Sequence, residues 1–185
     1  MPSGGLPVPA RAPGACCGIC GTDLQLVNGY ADFTGVPGHE FVGLVEDVSR
    51  ADDRHWVGQR VVGDINIGCG TCPACGDGIK EHCESREVLG IKVRGGAFAE
   101  YLTLPSVNLH PVPDSVEDDA AVFTEPVAAG CRLLEQVELG PSHRVAVLGD
   151  GRMGLLVAQV LKTTGAEVTL FGKHEPRMVL ARELG

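Results

Sequence analysis

The sequence predicts an α+β chain of two domains: an all-β part over the first hundred-odd residues, then helical segments that lead into the opening of a parallel α/β domain. Three observations lead there. Up to Val112 the apolar residues come in short period-two runs broken by Gly and Pro. Beyond Pro113 the spacing becomes helical, and from Arg144 strand-like and helix-like segments alternate in the order of a β-α-β-α unit. The 26 glycines and 12 prolines among 185 residues suit many tight turns between short strands, and 44% hydrophobic residues suffice for a core.

Taken in order, residues 1–15 hold four prolines and three glycines and are expected to be an irregular lead-in, not a strand. Pro37 to Val48 alternates Val42 and Leu44 against Phe41, Val45 and Val48, a strand entered through a Gly turn. Gln59–Val62, Gly96–Leu104 and Asn108–Val112 read as further strands. A helical stretch begins at Asp114-Ser115, with Ser115 and Asp118 spaced as a capping box. A second helix follows, capped by Thr124 or Glu125, with Pro126 in its first turn and Val127, Cys131, Leu134 and Val137 on one apolar face. Arg144–Leu148 is then a buried strand, Met153–Thr163 a helix, Glu167–Phe171 a strand and Pro176–Leu184 a helix. There are no internal repeats.

Charge narrows the partners. With 15 Lys and Arg against 24 Asp and Glu, the net charge of -9 repels phosphate backbones and anionic lipid surfaces, so neither nucleic acid nor a membrane is an expected partner. No apolar run approaches the ~18 residues of a membrane span and no apolar leader stands at the front, which points to a soluble, cytoplasmic protein.

Seven of the eight cysteines cluster, at 16, 17, 20, 69, 72, 75 and 83, a pattern of metal ligation in a reducing compartment and not of a disulfide scaffold. Cys69, Cys72, Cys75 and Cys83 spell C-x2-C-x2-C-x7-C. Four thiolates complete a tetrahedral zinc and leave no open position, so the site is structural. The rival is an iron-sulfur cluster, which colour distinguishes; the bland alternative is a chance cluster of buried thiols. Cys131 is expected in the core.

Gly149, Gly151 and Gly154 form G-x-G-x-x-G between a strand and a helix, the context in which such a turn cradles a dinucleotide pyrophosphate. At the end of the second strand, where an acid would hold the ribose 2′-hydroxyl of NAD, stand Gly172, Lys173 and His174. The missing carboxylate and the added cation favour NADP over NAD; the alternative is a solvated turn that touches nothing.

Three further segments, GICGTD (Gly18–Asp23), GHE (Gly38–Glu40) and TEP (Thr124–Pro126), stand in order with the cysteine loop, GGAFAEY (Gly95–Tyr101) and the glycine turn. As a set they resemble the zinc-dependent medium-chain alcohol dehydrogenases, in their polyol and threonine dehydrogenase branch. The resemblance implies a GroES-like zinc-binding catalytic β-barrel over residues 1–126 and a partial Rossmann dinucleotide-binding domain over 127–185. It implies one structural and one catalytic zinc, and hydride transfer between a small alcohol or polyol and NAD(P). Cys20 and His39 are then ligands of the catalytic zinc, with Glu125 or Glu40 as the third; Asp23 would hold the outer ring nitrogen of His39, and Thr22 would take the alcohol proton. Alone, Glu125 reads as a helix cap and Thr22 as a turn residue. Cys17 and Cys20 also spell C-x-x-C, without the preceding buried strand of a thioredoxin-like redox site.

Two positions depart from the pattern. Gln25 stands where the family extends its proton relay with a histidine, which would end the relay at Thr22 and water, and Ser49 replaces a usual Gly or Ala. Members of this family are about twice as long, and the chain ends after two strands, before the sheet's switch point. It therefore reads as a fragment of such an enzyme, with homo-oligomerisation a property of the full-length form. The alternative is a non-catalytic zinc-binding remnant or interaction protein; a zinc-ribbon nucleic-acid binder is disfavoured by charge.

Overall fold

The computed structural model describes residues 6–9, as backbone, and 16–184. They form two compact units, Met1–Glu125 and Pro126–Gly185. The first contains β1 (Leu6–Pro9), β2 (Cys16–Gly18), α1 (Gly21–Val27), β3 (Glu40–Leu44), β4 (Arg60–Gly63), β5 (Asn66–Ile67), α2 (Pro73–Gly76), β6 (Glu87–Val88), β7 (Tyr101–Leu104), β8 (Leu109–Pro111) and α3 (Asp118–Ala121). The helix α4 (Thr124–Gln136) leads into β9 (Arg144–Leu148), α5 (Arg152–Lys162), β10 (Glu167–Phe171) and α6 (Glu175–Glu183).

The lead-in departs from expectation. Leu6–Pro9 is a strand, paired antiparallel with β7 from Leu6 opposite Leu104 to Pro9 opposite Tyr101. Prolines at alternate positions, 7 and 9, place both missing N–H groups on one edge, and the donors of Leu6 and Val8 lie on the other. The remaining residues of the expected lead-in, 1–5 and 10–15, lie outside the described residues.

The central sheet of the first unit runs β2-β3-β4-β8, antiparallel throughout. Its middle strand β3 is buried on both faces. Phe41 joins Val45, Val61, Leu89, Leu102 and Leu104 in the main core, and Val42 joins Val62, Ala121 and Val122 on the other side. Each buried Val, Leu or Phe side chain among them contributes about 1.5–3 kcal/mol. Asn108, 1% exposed, ties the loops together by donating from Nδ2 to the carbonyls of Asp64 and Asn66, both at 2.8 Å. The all-β reading is amended by α1, a helix within the GICGTD region, and by the short α2.

The expected capping box at Ser115 and Asp118 does not form: α3 begins only at Asp118, after Glu117. Arg60 has claimed the segment. Its guanidinium donates to the carbonyls of Pro113 (2.8 Å) and Val116 and to the Asp118 carboxylate (3.1 Å), which holds 113–117 as a turn. Neither Thr124 nor Glu125 caps α4; both lie inside it, and the Thr124 hydroxyl donates back to the Ala121 carbonyl at 2.7 Å.

In the second unit β9 and β10 pair in parallel, in register from Arg144 opposite Glu167 to Leu148 opposite Phe171. The buried stripe of α4 is Pro126 and Gly130, not the expected face centred on Cys131, which is exposed. Gly130 lies against α5, where a Cβ would sit 3.4 Å from Val160 Cγ2, so its neighbour Cys131 is turned about 100° away. β9 is a strand as expected but not a buried one: only Val147 is covered, because this sheet has two strands with α5 packed on them, and Leu148 is 81% exposed.

Candidate metal centres and dinucleotide turn

The chain leaves β2 and enters α1 at Cys20, and Asp23 organises this corner. One carboxylate oxygen accepts the Cys20 N–H at 2.8 Å and the other accepts the Gly38 N–H at 3.1 Å, so a single buried acid fixes the two loops that carry Cys20 and His39. The second loop is held from its other side as well. Gly38 sits at φ +97°, and its carbonyl accepts the Ala97 N–H at 2.8 Å; a Cβ on Gly96 would fall 2.1 Å from that carbonyl oxygen. The second glycine of GGAFAEY, Gly96, thus lets backbone meet backbone beside His39.

The donor atoms of Cys20, His39 and Glu40 all lie within 4.8 Å of one another. His39 is 3% exposed, and its Nδ1 is 3.3 Å from Asp23 Oδ1. That is ion-pair distance without hydrogen-bond direction, so Nδ1 is a buried nitrogen with no hydrogen-bond partner. Glu40 folds over Gly18, where a Cβ would sit 2.2 Å from Glu40 Oε2. The Cys20 thiol donates to the Thr22 hydroxyl at 3.7 Å. Glu125 is not one of the converging three. It is close enough, however, that burial first, and then repulsion from Glu40, Asp64 and Asp23, push its carboxyl up to about 7. Asp64 is paired with Lys80 at 2.8 Å, and the soft thiol of Cys20, the His39 imidazole and the Glu40 carboxylate are a donor set that fits a divalent zinc.

The other four cysteines also converge, with all sulfurs within 4.8 Å of one another. Pro73 starts α2 directly after Cys72, and Cys83, the buried member, accepts the Cys69 N–H at 3.4 Å. Hydrogen bonds from the backbone and hydroxyl of Thr71, and from Cys72 and Cys83, hold the Cys69 thiol down to about 6. Cys72 is pushed up to about 11: the Cys75 backbone pulls it down, but the thiols of Cys75, Cys69 and Cys83 and burial outweigh this. One thiolate forms readily and the next does not, the behaviour of a four-sulfur group that needs a cation to ionise fully. Cys17 belongs to neither group. Its thiol donates to the Ala97 carbonyl at 3.3 Å and burial raises its pKa, the opposite of a reactive C-x-x-C thiol.

In the second unit the chain leaves β9 through Gly149, at φ +114°, whose N–H donates to the Phe171 carbonyl at 2.8 Å. A Cβ on Gly154 would fall 2.0 Å from the Gly149 carbonyl, which ties the start of α5 to the turn. Gly149 and Gly151 face open space, room that a dinucleotide pyrophosphate fits. Gly172, Lys173 and His174 form the turn between β10 and α6. Sequence reasoning missed the residue that holds them: Asp150, 4% exposed, accepts the N–H groups of Lys173 (3.1 Å) and His174 (2.6 Å) and lies 2.9 Å from His174 Nδ1. An acid between two turn glycines was its only sequence signal.

Among the described residues no helix is long and apolar enough to cross a membrane. The alcohol dehydrogenase GroES-like domain matches residues 14–114, more than half of the chain. The chain is 38% identical over 175 residues to an L-threonine 3-dehydrogenase of Mesorhizobium japonicum, covering 90% of this chain and 50% of that protein. It is 33% identical over 171 residues to a D-arabinitol dehydrogenase of Uromyces fabae, covering 91% and 48%. In three dimensions it is similar to a Sinorhizobium meliloti protein described as a zinc-binding dehydrogenase and bound to NADP, with a TM-score of 0.86, 34% identity and coverage of 99% of this chain and 53% of that one. The chain spans about half the length of the curated relatives it matches. With the GroES-like domain matched over most of the first unit and threonine and polyol dehydrogenases as relatives, the chain belongs to the zinc-dependent medium-chain alcohol dehydrogenase family.

Proposed function

We propose that this chain carries the zinc centres and the adenosine half of the cofactor site of an oxidoreductase that transfers hydride between a small alcohol or polyol and NAD(P). The observation that carries the reading is the convergence of the donor atoms of Cys20, His39 and Glu40 within 4.8 Å of one another, with the partly buried Glu125 nearby. A catalytic zinc supplies Lewis acidity toward an alcohol oxygen, and the dinucleotide supplies the hydride acceptor.

The residues have separate tasks. Cys20, His39 and Glu40 would hold the metal, His39 through Nε2 because Nδ1 faces Asp23, and Glu125 is the further carboxylate at hand. Asp23 keeps the two ligand loops in register through its bonds to the Cys20 and Gly38 N–H groups. The Thr22 hydroxyl, beside Cys20, receives the alcohol proton and passes it to water, since the exposed Gln25 on the same helix has no proton to exchange at neutral pH. The Cys69, Cys72, Cys75 and Cys83 group would close around a structural zinc. In the second unit, which we read as the start of a Rossmann domain, Gly149, Gly151 and Gly154 would take the pyrophosphate, and Lys173 and His174 would favour NADP.

The test is turnover. Alcohol- or polyol-dependent reduction of NADP by a form that also holds the nicotinamide half of the site, lost in Cys20→Ala and His39→Ala while NADP binding is kept, supports the reading. Such a form that binds zinc and NADP but turns over none of a broad alcohol and polyol panel contradicts it.

A further inference from the structure

The end of β10 is built around a carboxylate that arrives from another loop. Asp150 crosses from the glycine-rich turn and satisfies the N–H groups of Lys173 and His174 with one oxygen while the other faces His174 Nδ1. Side-chain and backbone bonds from His174 hold its carboxyl down to about 2. The same side chain also fills the space beside residue 172. A Cβ on Gly172 would fall 2.4 Å from Asp150 Cβ and 2.6 Å from both Asp150 Cγ and Met178 Sδ. Contacts that short force a shift; the Met178 chain can swing aside, but Asp150 Cβ and Cγ cannot, since its carboxylate is anchored by two backbone N–H groups and the His174 ring. An acid at position 172, the usual holder of an unphosphorylated ribose, is sterically incompatible with Asp150.

We propose that Asp150 is the positioning residue that sets cofactor choice in this chain: by occupying the end of β10 it excludes a ribose-binding acid at 172 and fixes His174 so that its outer edge and Lys173 face a 2′-phosphate. The inference rests on the dinucleotide reading above. With Nδ1 committed to Asp150, the half-exposed ring offers only Nε2 outward, next to an exposed ammonium. A phosphate monoester meets the Lys173 ammonium there, and also the Nε2–H of His174 whenever the ring holds both protons, whereas a ribose diol meets no carboxylate.

The probes are 2′,5′-ADP and 5′-ADP, which carry only the adenosine half of the cofactor; the segments that would touch them, 149–154 and 172–174, lie in this chain. Binding of both is measured by calorimetry, with thermal melting, for the parent, Gly172→Asp, Asp150→Gly, which also removes the clashing Cβ, and the double variant. The parent should prefer 2′,5′-ADP. Gly172→Asp alone should melt lower and keep that preference. Asp150→Gly should weaken 2′,5′-ADP about tenfold, the worth of one charge-assisted contact, and leave 5′-ADP within about twofold. The double variant should melt above Gly172→Asp and turn the preference toward 5′-ADP. A merely structural Asp150 would weaken both probes alike, and that result overturns the inference, as does a switch in Gly172→Asp alone with unchanged melting. If the folded parent binds neither probe, the dinucleotide reading fails first and the inference with it.

Discussion

Glu125 offers a sharp test of the buried acidic cluster. Its carboxyl is moved from an ordinary 4.5 to about 7, chiefly by burial and then by Glu40, Asp64 and Asp23. Between those values the unfolded chain has already released the proton that the folded chain keeps. The unfolded state therefore binds fewer protons, and stability must fall as pH rises from about 4.5, levelling off above 7. At ~1.4 kcal/mol per pH unit the full penalty is about 3 kcal/mol, an upper bound because solvent reaches the half-buried group and screens part of it. The comparison is best made in a Cys20→Ala background, which weakens the central site and leaves the four-cysteine loop intact. Urea unfolding at pH 5, 6, 7 and 8 should show a downward slope that Glu125→Gln removes, so that the Gln variant is the more stable at pH 8 by up to about 3 kcal/mol and the two converge near pH 5. Equal slopes in the two proteins would refute the claim that Glu125 is held protonated by burial and by its acidic neighbours.

Three further outcomes are expected. Cys72→Ser should abolish tight zinc binding at the cysteine loop and lower the melting temperature, because a closed site missing one thiolate exposes its metal to exchange; retained stoichiometric zinc with unchanged melting would contradict it. Leu89→Ala, at a fully buried core position, should cost about 2–5 kcal/mol by denaturant unfolding without changing zinc content, and a loss below 1 kcal/mol would mean the core is not where it is placed. Gln25→His should leave metal content alone and, where turnover is measurable, add an ionisation near pH 6.5 to the rate profile; an unchanged profile would remove that position from any proton path.

What could be read from the sequence followed the range of the forces involved. β9 and β10 were legible to the residue, because β-branched runs flanked by turn residues are local signals. The four-cysteine group was legible for the same reason: its ligands lie within one loop. In α1, Leu24 and Leu26 sit two apart and only seven residues are helical, so periodicity gave no helix; the N–H of Cys20 bound to Asp23 starts it. β1 was hidden by Pro7 and Pro9, which are tolerable only because the strand is an edge. The helix start near Ser115 was overruled by Arg60, 58 residues away from Asp118 in sequence. Asp150 is the same kind of case, its meaning set by His174 across 24 residues. Cys20 stands before α1 and His39 and Glu40 at the entry to β3, and no local spacing joins them; the ordered set of motifs did.

The central claim is that two metal centres are built into the first unit. Elemental analysis of the intact protein, purified without chelator, tests it most directly when repeated on Cys20→Ala and on Cys72→Ser. Two zinc ions per chain are predicted, falling to one in each variant. Contradiction would be a single zinc that persists unchanged in Cys20→Ala, or iron in place of zinc at the cysteine loop.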